Sequence, residues 1–423
     1  MYTRSAFAPA WAVPLCLLTL SWSESAPDDA GTYPGSGPGY RAVAEFEPTD
    51  AVIIAWDDDY ADVLSDLIRA LRWPVTAIVL VPDPATWLSA AEYLEDIGLD
   101  RGSVHFIDQD FDSIWTRDFG PISARRTDGG FVLVDNEYYS DRVLDDQVPA
   151  ALAEHLEIPV VESGLTLEGG NFMANGEGLC VTTEQIEDDN PDLNADDIAR
   201  RLLWYLGCED LVVLNRLAVE PTGHVDMFAK FTAPDTVLVG RYSREFDPEN
   251  AEILDRNAEF LEGTRLPDGR PITVVRVPMA SNHDGIFRSY LNSLYVNGTV
   301  IIPTCDTERD LEQDVFAAYR LALPPLTELV ALDASDLTMH GGAVHCITQG
   351  ISYRPDSRNR LATNLMLDYS VLNLPGRGPT GPAGSSDLGV WLGLLNASGS
   401  LDPSASPWAL PLLGDRGPSS RRM

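Results

Sequence analysis

The chain has 423 residues, 44% of them hydrophobic, enough for one large or two ordinary domains with a continuous core. Acidic residues outnumber basic ones by 65 to 29, a formal net charge of −36, which argues against nucleic acid or an anionic membrane as partner and favours cations. Solubility, or adaptation to a salty medium, accounts for that charge as readily as substrate attraction does.

Arg4, an apolar stretch over 6–22 and small residues at 23–25 read as a secretory signal over residues 1–25, so a secreted or periplasmic location is expected. Pro9 and Pro14 interrupt the stretch, which is short for a membrane span, and no stable span is expected elsewhere. Residues 26–45 read as a linker, Gly/Pro-rich over 31–39. From 46 to 375, short apolar runs alternate with amphipathic ones, the pattern of an α/β catalytic domain. Strands are expected over 52–56, 75–81, 104–107, 131–134, 179–182, 211–214, 225–231, 237–240, 272–277, 300–302 and 344–348. Val63, Leu64, Leu67, Ile68 and Leu71 make one apolar helix stripe, and further helices fit 88–97, 145–156, 196–206, 248–262 and 308–321. The alternation recurs without sequence identity, so any internal repeat is structural. Residues 376–423 turn to Gly, Pro, Ser and Asp and read as a poorly ordered tail, or as a small packed addition carried by the clusters 391–395 and 408–413.

If Cys16 leaves with the signal, Cys180, Cys208, Cys305 and Cys346 remain, too few for a disulfide scaffold. With Cys346 kept for chemistry, at most one bridge forms among the other three, and its partners are open. No CxxC or HxxxH spacing suggests a metal, and no cofactor is implied. Lys230 is the only lysine.

Cys346 follows Gly341 and Gly342, where backbone and substrate can approach each other, although a lone cysteine usually packs as a small buried hydrophobe. His224 and Asp226 open the strand expected over 225–231, and period-two alternation puts both on one face. The same alternation turns His345 away from Cys346 and makes it a poor base, whereas His224 can depress a thiol's pKa and carry a proton near neutrality. In Trp115-Thr116-Arg117-Asp118-Phe119-Gly120-Pro121 a loop presents Asp118, or Arg117 and Asp118 satisfy one another in a structural turn. Glu168 and Asn171 flank Gly169 and Gly170, a close approach or a simple bulge, and Asn292 precedes a strand, where ordinary turn bonding is the plain alternative. A guanidinium is planar, always charged and carries five donors that two carboxylates can grip, so Asp118 and Asp226 would hold it while Cys346 attacks its central carbon.

The strings WTRDFGP, LEGGN, GHVD, YLNSLYVNG and HGGAVHC, in this order over 51–349, resemble the agmatine deiminase and Porphyromonas-type peptidylarginine deiminase family. The resemblance implies the pentein fold, a five-bladed α/β propeller of ββαβ-like modules with pseudo-fivefold symmetry. It implies Cys346 as nucleophile, His224 as general acid and base, Asp118 and Asp226 as guanidinium carboxylates, and Asn292 as a substrate contact. Trp115 would wall the pocket and Glu168 support it. A secretory start and the NS pair of YLNSLYVNG favour peptidyl-arginine over agmatine. Arg142 is the nearest counterpart of the arginines that clamp a peptide's C-terminal carboxylate, although the expected pair is incomplete. Agmatine, converted to N-carbamoylputrescine for putrescine synthesis, is the alternative substrate. A silent secreted cation-binding protein and an amidinotransferase are the other classes.

Overall fold

A computed structural model describes residues 39–71, 75–99, 104–307 and 309–352. The expected signal segment and C-terminal tail lie outside the described residues. No described helix is long and apolar enough to cross a membrane.

The described strands form five separate sheets, none of them closed. Four repeat one connection: an antiparallel pair, a helical crossover, then a strand parallel to the second member of the pair. The first runs Ile122–Arg126, Phe131–Glu137, helix Val143–Leu156 and Val160–Thr166. The second runs Met173–Ala174, Leu179–Thr183, helix Ala195–Leu206 and Asp210–Leu214. The third runs Ala229–Ala233, Thr236–Arg241, helix Pro248–Gly263 and Thr273–Pro278. The fourth runs Leu294–Val296, Thr299–Thr304, helix Glu312–Ala322 and Glu328–Asp333. A parallel pair needs such a crossover because a tight turn reverses the chain.

The two ends of the described chain build the fifth sheet. Gln349–Ile351 lies antiparallel to Ala51–Ala55, which is followed by helix Ala61–Ala70 and the parallel strand Thr76–Val81. A second crossover through helix Pro84–Asp96 adds Val104–Asp108. All five residues of Ala51–Ala55 are buried, as an apolar run covered on both faces requires. Helix starts follow local chemistry: the Asp83 carboxylate accepts from the N–H groups of Ala85 and Thr86, with Pro84 in the first turn.

Three expectations change. Tyr40–Ala42, inside the expected linker, pairs antiparallel with Ile122–Arg126. Residues 225–231 are not one strand: a 3-10 turn covers Val225–Met227 and the strand begins at Ala229. Residues 344–348 turn instead of extending, with the Thr348 N–H donating to the His345 carbonyl at 3.0 Å, and strand pairing starts at Gln349.

Candidate active site

Each sheet delivers one short segment, just ahead of its antiparallel pair, to a common place. Helix Thr116–Phe119 brings Asp118, the 3-10 turn Gly169–Asn171 follows Glu168, and His224 caps the turn that carries Asp226. Asn292 precedes Leu294–Val296, and Cys346 sits in the turn before Gln349–Ile351. All six side chains are buried.

The thiol is held by Asn292, whose Nδ2 donates to Cys346 Sγ at 3.1 Å and to Asp226 Oδ2 at 3.1 Å. Asn292 Oδ1 accepts the N–H groups of Ala343 and His345, both at 3.1 Å, and of Cys346 at 3.3 Å. The amide therefore organises the nucleophile's turn. Cys346 Sγ lies 3.9 Å from Asp226 Oδ2. Burial, reinforced by the charges of Asp226 and Asp118, pushes the thiol well above its ordinary pKa against the opposing Asn292 bond.

His224 stands between two carboxylates, Nδ1 3.6 Å from Asp118 Oδ1 and Nε2 3.2 Å from Glu168 Oε2. Burial opposes its charge, but Asp118 and Glu168 outweigh burial and raise it to about 10. Burial raises Asp118 to about 8, with Glu168 and Asp226 adding to the shift and His224 and the Gly170 N–H opposing it. Glu168 accepts from Tyr139 Oη, and despite burial its bond to His224 keeps it below its ordinary value. Donors of Asp118, Glu168 and His224 come within 4.8 Å of one another, a spacing open to a metal. Because both His224 nitrogens face carboxylates, the arrangement of a protonated imidazole, the cluster reads as an acid–base group.

Glycine permits the close packing. A Cβ on Gly170 would come 2.6 Å from His224 Nδ1, 2.7 Å from Asp118 Oδ1 and 3.2 Å from Asp226 Oδ2. One on Gly342 would meet Trp115 Cζ3 at 2.5 Å and Cys346 Cβ at 2.9 Å, so Trp115 does wall the thiol. Asp226 Oδ1 is buried and makes no hydrogen bond, an acceptor left for a ligand.

Arg142 stays out of this group. Its guanidinium lies 6.0 Å from the Tyr138 ring centre and 5.8 Å from that of Tyr139, and Nη1 is 4.0 Å from Asp145. Arg117 does not pair with Asp118: its Nε donates to the His345 carbonyl at 3.4 Å and Nη2 lies 3.9 Å from Glu45. The sequence reading also passed over Glu45 and His345. His345 Nδ1 is 2.6 Å from Asp226 Oδ2 and Nε2 is 2.6 Å from Glu45 Oε2. Glu45 carries no motif. The one hint was Lys230, a lone lysine in an apolar strand, which donates to Glu45 at 2.8 Å.

The family model for Porphyromonas-type peptidyl-arginine deiminase matches residues 41–351. The agmatine deiminase of Pseudomonas aeruginosa (strain LESB58) is 28% identical over 353 residues, 74% of this chain and 95% of that one. That of Stutzerimonas stutzeri (strain A1501) is 27% identical over 361 residues, with coverages of 74% and 95%. The fold matches the solved agmatine deiminase of Enterococcus faecalis with a TM-score of 0.67 at 23% identity, covering 77% of this chain and all of that one. It matches that of C. jejuni with a TM-score of 0.62 at 20% identity, covering 74% and 97%.

Proposed function

Because the chain belongs to the Porphyromonas-type peptidyl-arginine deiminase family, a hydrolase acting on carbon–nitrogen bonds, we propose that it converts agmatine to N-carbamoylputrescine and ammonia. The observation that carries the chemistry is the gathering of Asp118, His224 and Asp226 against Gly170, with Cys346 Sγ 3.9 Å from Asp226 Oδ2 and Asp226 Oδ1 buried without a hydrogen bond. A guanidinium there draws Asp118 back to its ionised form and is gripped by two carboxylates beside a nucleophile.

The resting thiol is protonated, since the charges around it are negative. An arriving guanidinium reverses that sign, and the cation itself favours the thiolate. The thiol gives up its proton to bulk water as the cation binds, the sulfur attacks the guanidinium carbon, and protonated His224 gives its proton to the departing nitrogen. Ammonia leaves and a cationic thiouronium remains on Cys346, still facing Asp118 and Asp226. Neutral His224 then takes a proton from the attacking water, and collapse expels the thiolate and the ureido product.

The expected preference for peptidyl-arginine gives way to agmatine on two grounds. Arg142, the one candidate for a carboxylate clamp, is spent on Tyr138, Tyr139 and Asp145. The curated relatives carry the name agmatine deiminase, and a dication suits a site whose groups are acidic. The likeness of the five connections, with one segment from each sheet reaching the site, supports a pseudo-fivefold propeller. The Cys180–Cys208 bridge supports an oxidising, secreted or periplasmic compartment.

Ammonia release by the full chain on agmatine, free arginine and peptides with internal or C-terminal arginine tests this. Agmatine should have the highest kcat/KM, and Cys346→Ser should lose at least about a thousandfold in kcat. Faster turnover of an arginine peptide overturns the substrate, turnover surviving Cys346→Ser overturns the mechanism, and binding without turnover restores the silent cation-binding reading.

A further inference from the structure

Beside the guanidinium carboxylates runs a second line of charged groups that the reaction above does not use, Lys230, Glu45 and His345, and it ends on Asp226. Glu45 Oε1 accepts from Lys230 Nζ at 2.8 Å and from the Tyr295 N–H at 2.6 Å, while Oε2 faces His345 Nε2. The other His345 nitrogen faces Asp226 Oδ2, the same oxygen that receives Asn292. The ring thus bridges two carboxylates, one at each nitrogen, so each carboxylate fixes the ring for the other. This occupies Asp226 Oδ2 and leaves Oδ1 free for the substrate. Glu45, Lys230, Arg117, Tyr295, His345 and Asp226 also line a cavity, whose lining includes neither Cys346 nor His224.

We propose that Glu45 is a positioning residue for this reaction: acting through both nitrogens of His345, it keeps Asp226 ionised and aimed at the guanidinium. This rests on the deiminase reading. Burial alone would raise Asp226, yet the His345 bond, with His224 and Arg117 beyond it, holds it below the ordinary carboxylate range. Asp118, Lys230 and Cys346 also face it. Glu45 in turn is held well below its usual value, against burial, by Lys230 and His345. Without the Glu45 contact the His345 ring is no longer held against Asp226, and Asp226 protonates at higher pH.

Glu45→Gln alone strands a buried ammonium at Lys230, so the working variant is Glu45→Gln/Lys230→Met, with Lys230→Met and Glu45→Asp beside it, all as full chains. The acidic limb of kcat/KM on agmatine should move up by about one pH unit in the double variant, seen as a higher KM with kcat within about threefold. Glu45→Asp should bring the limb back toward wild type, and Lys230→Met should move it part of the way up, because Lys230 helps to keep Glu45 ionised. Agmatine binding to Cys346→Ser, followed by calorimetry against pH, should show the same shift when the double substitution is added. A folded double variant with an unmoved limb, or one losing kcat equally at every pH, overturns the role of Glu45 alone. Wild type that neither binds nor turns over a guanidine overturns the deiminase reading and the inference together.

Discussion

The site is an arrangement of opposed charges in which the substrate supplies the missing cation, and Gly170 is the point against which its acidic groups pack. A methyl there meets His224, Asp118 and Asp226 at once, the three groups that must contact or flank a guanidinium. Gly170→Ala should lower kcat/KM on agmatine by about a hundredfold, the scale expected when reacting groups are displaced by about 1 Å. The melting temperature, measured on the same samples, should fall far less than for a loss of the core, and wild-type kinetics in the variant would refute the close packing at Gly170. Cys346, His224, Asp118 and Asp226 were legible in sequence because each stands beside glycines or in a short string whose chemistry makes sense alone. Glu45 was not, since its contact with His345 spans 300 residues of chain. His345 was set aside by an alternation argument that holds for extended chain, and the segment is a turn that brings the ring onto Asp226.

At the scale of elements, what holds the module between Leu179–Thr183 and Asp210–Leu214 is partly covalent. Cys180 lies in the first of these strands, and Cys208 follows Gly207, whose left-handed φ of 71° ends helix Ala195–Leu206. The bridge closes the crossover between two parallel strands, with a sequence separation of 28. Closing such a loop removes unfolded-state entropy, so Cys180→Ala/Cys208→Ala should cost about 3–4 kcal/mol in a denaturant titration under non-reducing conditions. An unchanged midpoint would mean that the bridge does not form. The two buried cysteines could not be paired from sequence because nothing local distinguishes them from Cys305, which stays free. Central strands such as Ala51–Ala55 and Thr76–Val81 were legible as apolar runs, whereas Val160–Thr166 and Glu328–Asp333 were not. Both are sheet edges with exposed positions that dilute the apolar signal.

Over the whole molecule, a net charge of −36 acts in two directions. It draws a cationic substrate toward a site that is itself acidic, and it strains the folded chain by self-repulsion. Salt weakens both effects, because the screening length falls from about 30 Å at 0.01 M to about 10 Å at 0.1 M. Adding sodium chloride over that range should therefore raise the melting temperature while lowering kcat/KM for agmatine, a dication, more than for a singly charged guanidine. The His345–Asp226 pair is buried at both members and shielded from bulk ions, so the acidic limb of the pH profile should keep its position as salt rises. The folded state is under self-repulsion and the substrate under attraction, so the two responses must have opposite signs. A melting temperature and a kcat/KM that rise together would assign the acidity to solubility alone, with no part in capturing the substrate.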